Sequence, residues 1–107
     1  LRTLAARALA AGDTAAAAAA LDQALELVPD DPALLQERAE VALLQERYDQ
    51  AETLARRAFD LGSKVGPLCR RHWATIEQAR EARNEPENVA SARAQREACT
   101  VPGVIRY

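Results

Sequence analysis

Apolar residues recur along this chain at three- and four-residue spacings, which is the pattern of a helix that buries one face. The first stripe consists of leucines and alanines: Leu1, Leu4, Ala5, Ala8 and Leu9. A second stripe runs from Ala17 to Val28, and Gly12-Asp13 separates the two. Asp13 or Thr14 can cap the second helix, because a side-chain oxygen there accepts a hydrogen bond from a free backbone N–H. The pattern therefore predicts two helices joined by a tight turn.

A shift of 34 residues superimposes the first part of the chain on the second. It pairs residues of the same type: Leu1 with Leu35, Ala5 with Ala39, Leu9 with Leu43, Ala17 with Ala51, and Ala24 with Ala58. Asp31-Pro32 opens the second copy as an N-cap and a first helical residue. Gly62 follows its second helix, and we expect a left-handed residue there. A fixed period of this length is typical of helical repeats that stack as pairs.

A third, looser copy begins at Gly66-Pro67, and its two helices are separated by a turn near Asn84. The last helix has a thin apolar stripe, as expected of a repeat that caps a stack. We predict an all-α, right-handed α-solenoid of three helix hairpins, about six helices in all. The repeats span about 1–31, 32–64 and 65–99, so the repeat domain is 1–99. An extended tail is expected over 100–107.

Composition fits this class and argues against others. Hydrophobic residues make up 49% of the 107 residues and aromatic residues only 4%, so small aliphatic side chains must build the core. The net charge of −2 gives no basic footprint for nucleic acid. No stretch approaches the roughly 20 apolar residues of a membrane span. We therefore expect neither nucleic-acid binding nor membrane insertion.

Several of these residues resemble the tetratricopeptide repeat. Gly12-Asp13 ahead of Ala17, followed by Leu21, Ala24 and Pro29, is similar to the turn and second helix of that repeat. The residues that continue the likeness further along are Asp31-Pro32, Tyr48, Ala51, Ala58 and Trp73. The resemblance covers about residues 1–99 and is most specific in the first two repeats.

The chain departs from the tetratricopeptide pattern at two positions. Glu46 stands where the family usually has the turn glycine, and we expect a turn there that needs no positive φ. Ser63 replaces the proline that usually closes the second helix. About four residues are inserted around Ser63–Gly66.

The resemblance implies a concave surface, lined by the first helix of each repeat, that binds a protein or peptide. The residues carried over to this surface are Arg2, Gln36, Glu37, Glu40, Leu43, Leu44, Arg71, Thr75 and Gln78, with Ala6 and Leu9 beside them. The surface is expected to be slightly acidic in the middle, with Leu43 and Leu44 as apolar anchors or as packing residues. Family members that hold a peptide's C-terminal carboxylate use Lys and Asn, whereas Ala6 and Glu40 occupy comparable places here. We therefore do not expect that clamp.

The sequence does not contain a convincing catalytic or metal-binding set. Cys69 lies one helical turn from His72, but a thiolate nucleophile also needs an orienting third group. A metal site built from Cys69, His72 and Cys99 would lack a fourth ligand. There is no CxxC motif and no glycine-rich phosphate loop. We predict no enzymatic activity, no metal and no cofactor, and a packed role for His72.

The two cysteines lie at equal distances from the third turn. Cys69 precedes Asn84 by fifteen residues and Cys99 follows it by fifteen. Residues equidistant from the turn of an antiparallel hairpin lie side by side, so we predict a Cys69–Cys99 disulfide that fastens the last helix. Such a bond persists in an oxidising compartment. Together with the use of Arg almost to the exclusion of Lys, which indicates a GC-rich bacterial genome, it favours the periplasm or cell envelope. The alternative is two reduced thiols in a cytoplasmic protein.

Two interpretations of function remain from the sequence. The first is a protein–protein interaction module that uses the concave surface. The second is a structural C-terminal repeat segment, or a self-association surface, of a larger exported protein. Leu1 and Leu4 begin a stripe with no helix before them, so residues 1–9 could pack on upstream repeats or on a second copy of the chain.

Overall fold

The computed structural model describes residues 1–100, and this part contains six helices and no strand. The helices are α1 (Arg2–Ala10), α2 (Thr14–Leu27), α3 (Pro32–Leu44), α4 (Tyr48–Leu61), α5 (Pro67–Ala82) and α6 (Pro86–Ala98). They form three hairpins, α1–α2, α3–α4 and α5–α6, which stack through contacts of α2 with α3 and of α4 with α5. The predicted all-α solenoid of three hairpins is therefore confirmed. The expected extended tail, from residue 101 onward, lies outside the described residues.

The helices begin where the sequence supplies capping residues. The Asp13 carboxylate accepts a hydrogen bond from the Ala16 N–H at 3.0 Å. Asp31 accepts from the N–H groups of Ala33 and Leu34 at 2.9 and 3.2 Å. Each such cap is worth about 1 kcal/mol. Helices α3, α5 and α6 each begin with a proline, which suits the first helical position because it lacks an N–H.

All three hairpin turns contain one residue with a left-handed backbone: Gly12 (φ 78°), Glu46 (φ 62°) and Asn84 (φ 60°). The residue after each of them donates its N–H to a carbonyl five residues back, as Arg47 does to Ala42 at 2.9 Å. This is the Schellman ending of a helix, which requires a left-handed residue. The expectation that the turn at Glu46 needs no positive φ is therefore wrong, because this turn has the same hydrogen bonds as the other two.

The expectation of a left-handed Gly62 is also wrong. Its backbone is extended, with φ −105° and ψ −168°. A side chain there would place Cβ 3.1 Å from the Ala58 carbonyl oxygen and 3.3 Å from Pro32 Cβ, so close packing explains the glycine. The left-handed glycine of this link is Gly66 (φ 99°), whose N–H donates to the Cys99 carbonyl at 2.7 Å. The end of α4 is instead capped by Lys64, which donates to backbone carbonyls, among them Asp60 at 3.1 Å.

The interior consists of two clusters of small and medium side chains. One joins the first hairpin to α3 around Leu21, Leu34 and Val41. The other joins α3 and α4 to the third hairpin around Trp73 and Ile76. Between the helices lie alanines that are completely buried: Ala17, Ala39, Ala42, Ala51, Ala55, Ala58, Ala79 and Ala92. Alanine at these positions allows the helices to approach closely.

Helix α6 is held mainly by specific bonds, because Ala92 is its only fully buried side chain. The buried carboxylate of Glu77 on α5 pairs with Arg93 at 3.0 Å and Arg96 at 2.8 Å. At the open end of the hairpin the Sγ atoms of Cys69 and Cys99 lie 2.09 Å apart, at disulfide distance, and both residues are buried. The structure thus brings together the two cysteines whose pairing the sequence predicts.

Removing this bond should destabilise the domain and α6 in particular. The bond closes a loop of 30 residues, so the C69A/C99A double variant is expected to lose about 3–4 kcal/mol in urea unfolding. Hydrogen exchange should show the largest loss of protection in α6. Dithiothreitol should destabilise the wild-type chain to a similar extent and leave the double variant unchanged. Two titratable thiols in the freshly isolated, denatured and unreduced chain would contradict the disulfide.

Candidate binding groove

A shallow groove of about 360 Å³ lies between α3 and α5 on the surface formed by the first helices of the repeats. Its volume is in the range of sites that hold small molecules or side chains. It is lined by Glu40, Leu43, Leu44, Arg71, Ala74, Thr75 and Gln78. The structure thus brings six of the nine residues proposed from the sequence into one groove. Ala74 is added to the set, and its spacing of three residues from Arg71 would have placed it on the same face.

The apolar part of the groove is formed by Leu43, Leu44 and Ala74. Leu43 is half-buried, and Leu44 is 62% exposed. Leu44 therefore does not serve the core of the chain, and its side chain is available to a ligand. Leu9, on α1, is also exposed but does not line this groove.

The floor of the groove is a polar network centred on Gln36, which is completely buried. Its amide nitrogen donates to Thr75 Oγ1 at 2.7 Å and to Glu40 Oε2 at 2.9 Å. Its amide oxygen lies 2.8 Å from His72 Nδ1. Gln36 and buried Thr75 therefore support the groove by connecting α3 with α5, and their polar groups are occupied. A fully bonded buried network of this kind fixes the geometry of the helices that carry it.

His72 is neutral in this environment, because burial and the nearby positive charge of Arg71 lower the pKa of its imidazole to about 4. Neutral imidazole has one N–H. Because Gln36 Oε1 is an acceptor, the Nδ1 atom donates to it. His72 is thus a packed, hydrogen-bonded residue, as the sequence analysis proposed. The Sγ atom of its neighbour Cys69 lies at disulfide distance from that of Cys99.

Two ion pairs cross the concave surface between neighbouring first helices. Arg71 on α5 binds Glu40 on α3 through Nε and Nη2, each at 2.6 Å, and this hydrogen bonding raises the pKa of the guanidinium. Arg2 on α1 pairs with Glu37 on α3. The arginine side chains are 60% and 52% exposed, whereas Glu37 and Glu40 are 24% and 33% exposed. The expected acidic middle is therefore neutralised, and cationic groups are the outermost charges.

Aromatic side chains that the sequence pattern did not predict support this surface from behind. Trp73 packs edge-to-face on Phe59, with ring centroids 5.1 Å apart, and the Arg56 guanidinium lies 5.3 Å from the Trp73 ring. These contacts join α4 to α5. The 34-residue repeat pairs Phe59 with Leu25, which is not aromatic. The repeat therefore could not identify Phe59 as an aromatic partner of Trp73.

Among the helices of residues 1–100, none is long and apolar enough to span a membrane. Within the same range, His, Cys, Asp and Glu side chains do not form a group of three or more placed to hold a metal ion.

Comparison with known proteins identifies the class of repeat. The tetratricopeptide repeat model matches residues 8–62, about half of the chain. The chain belongs to the tetratricopeptide repeat family. The match ends with α4, so the third hairpin is assigned to the solenoid by its structure.

A solved structure resembles the chain over nearly its whole length. The globular C-terminal domain of LpoP from P. aeruginosa is 34% identical to it, with a TM-score of 0.84, over 89% of this chain and 90% of that one. A search of curated proteins gave no significant match. The family and this neighbour both suggest a protein-interaction module.

The His72 environment predicts how stability depends on pH. The ordinary pKa of 6.5 applies to the unfolded chain and about 4 to the folded one, so only the unfolded chain takes up the proton between these values. The contribution of His72 is present above pH 6.5 and is lost as the pH falls to 4, amounting to about 3 kcal/mol. Urea unfolding from pH 7.5 to 4 should show this loss. The H72N variant keeps a donor near Gln36 without titrating, and parallel pH profiles for the two proteins would contradict the assignment.

Proposed function

We propose that the chain is a protein–protein interaction module that binds a peptide or short protein segment in the groove between α3 and α5. The observation that carries the proposal is the exposed side chain of Leu44 in a groove lined by polar groups from both helices. An apolar anchor surrounded by polar groups is the arrangement in which interface hot spots occur. The family and the structural neighbour support an interaction role and give no support to catalysis.

The groove is formed before any partner arrives. Gln36 joins α3 to α5 through Thr75 and His72, so binding there does not require the two helices to move. Preformed sites lose less conformational entropy on binding. This rigidity favours recognition of a flexible segment that adopts its conformation on the groove.

We further propose that the module works in the periplasm or cell envelope of a bacterium. The support is the Cys69–Cys99 pair, since structural disulfides form and persist in oxidising compartments. Fastening of α6 by this bond, together with the Glu77 ion pairs, would then be part of the mature fold.

A charge placed in the groove should abolish binding without affecting stability. We expect L44D to lose at least tenfold in affinity for peptides selected on the wild-type chain from a phage-displayed library, because it buries an unpaired negative charge under the ligand. L27D is the matched control, since Leu27 is 76% exposed on α2 outside the groove. Both variants should unfold within about 0.5 kcal/mol of wild type. Equal loss of binding in the two variants would contradict the groove as the site.

Self-association through α1 is a second candidate function. Leu1 and Leu4 are both exposed, although they continue the apolar stripe of Ala5 and Ala8. Helix α1 packs closely only against α2 and reaches α3 through the Arg2–Glu37 ion pair, so the side that carries Leu4 is uncovered. An exposed apolar helix face of this kind is typical of a surface that packs on a second copy or on further repeats.

Sedimentation equilibrium tests whether the chain self-associates through α1. If α1 mediates association, the wild-type chain should show a concentration-dependent dimer, and the L4S variant should shift the dissociation constant upward by at least tenfold. L61S is the control, because Leu61 is an exposed leucine at the end of α4. A wild-type chain that remains monomeric at millimolar concentration would exclude association through α1.

A further inference from the structure

We propose that the groove between α3 and α5 selects a segment with an acidic side chain beside an aliphatic one, the carboxylate binding Arg71 and the aliphatic group packing on Leu44. This inference rests on the proposed function and adds the chemistry of the partner. It is carried by the geometry of the Arg71–Glu40 pair and by the greater exposure of the arginines than of the glutamates they bind.

Arg71 retains binding capacity despite its ion pair. Its contact with Glu40 uses Nε and Nη2, which is the side-on arrangement of guanidinium and carboxylate. Guanidinium has five N–H donors, and the two on Nη1 point away from a carboxylate bound side-on. Among the described residues none accepts a hydrogen bond from Nη1. The side chain is 52% exposed and lines the groove, so these donors are accessible to a ligand.

The guanidinium is also held in place from beneath. Glu40 Oε2 accepts hydrogen bonds from Arg71 Nε and from the amide of buried Gln36. Gln36 is in turn bonded to Thr75 and His72. A flexible arginine normally loses much rotamer freedom when it binds an anion, whereas this one is already oriented. The series of hydrogen bonds from His72 through Gln36 and Glu40 therefore holds the Arg71 guanidinium in place.

A basic partner fits the surface less well. The Glu40 carboxylate accepts three hydrogen bonds, from Arg71 and Gln36, and Glu37 is paired with Arg2. Both carboxylates are less exposed than the arginines that cover them. An incoming lysine would meet the guanidinium groups first and would have to displace them. An incoming carboxylate meets unused N–H donors and a positive charge.

The aliphatic half of the proposed ligand follows from the groove wall. Leu44 lies one helical turn beyond Glu40 on α3, and Ala74 lies just under one turn beyond Arg71 on α5. The charged and apolar parts of the groove are therefore about one turn, roughly 5 Å, apart. Side chains two residues apart in an extended segment share one face and lie roughly 6.6 Å apart, which is close to this distance.

The test uses peptides selected on the 107-residue, disulfide-bonded chain from a phage-displayed library of random twelve-residue sequences. Peptides that need Leu44 for binding should be enriched in Asp or Glu two residues away from Leu, Ile or Val. Replacing the acid by its amide in a synthetic peptide should weaken binding to the wild-type chain roughly ten- to hundredfold. It should change little for R71Q, because the interaction is already absent there. R70Q is the control, since Arg70 is an exposed neighbour outside the groove, and it should keep the wild-type preference.

One further variant and two outcomes distinguish failure of this inference from failure of the proposed function. R71K keeps the charge but not the side-on pair, so it should show a smaller preference for acid over amide than wild type. Leu44-dependent peptides that bind equally as acid and amide would overturn this inference and leave the proposed function standing. A selection that yields no Leu44-dependent peptide would overturn both. Melting temperatures of R71Q and R70Q near the wild-type value establish that a loss of preference reflects binding.

Discussion

Close approach of helices through buried alanine is the constraint on which the rest of this structure depends. Alanines such as Ala17, Ala39, Ala51 and Ala58 are completely buried between helices, and a larger side chain there would force the helices apart. Each of them removes little apolar area from water, so each contributes little to stability. One hairpin is therefore not self-sufficient and has to stack on the next. Helix α6 fully buries only Ala92, and this is where the Cys69–Cys99 pair and the Glu77 ion pairs are found.

Alanine packing fixes distance but gives little directional information, and buried polar groups supply it. Between α3 and α5 the directional element is Gln36, whose amide is bonded to Thr75, Glu40 and His72. Removing one partner would leave a buried polar atom unsatisfied, which costs more than the net gain of the bond. Small shifts between the two helices are thus unfavourable, and the groove above them keeps one shape. Burial between these helices, together with the positive charge of Arg71, lowers the pKa of His72 and keeps it neutral.

The fold could be predicted from the sequence because its signals are local: the 34-residue period, the caps at Asp13 and Asp31, and the spacing of the cysteines around Asn84. Backbone conformation at the turns could not be predicted in the same way. Glu46 is not a glycine, and its left-handed conformation follows from a hydrogen bond between Arg47 and Ala42 that only the closed turn shows. The grouping of residues along the proposed groove could be predicted in outline for a related reason. Helical spacing places Gln36 and Thr75 on the same face as Glu40 and Arg71, but whether a polar residue at the edge of that face meets solvent or the next helix depends on how the helices cross.

The exposed charge of the concave surface was the least predictable property. A count of charged residues along one helix omits the residues of the neighbouring helix that pair with them. Glu37 and Glu40 make α3 look acidic, yet each is covered by an arginine from an adjacent first helix. Arginine has the longer side chain and carries its charge beyond the carboxylate it binds, so the pair presents a cation to a partner. The opposite order occurs where α2 meets α3, since buried Arg38 lies beneath exposed Asp22. One kind of ion pair therefore exposes mainly the arginine on the concave surface and mainly the carboxylate where α2 meets α3. What a partner meets is decided by which member of each pair is outermost, and this in turn is set by the packing of the helices that carry them.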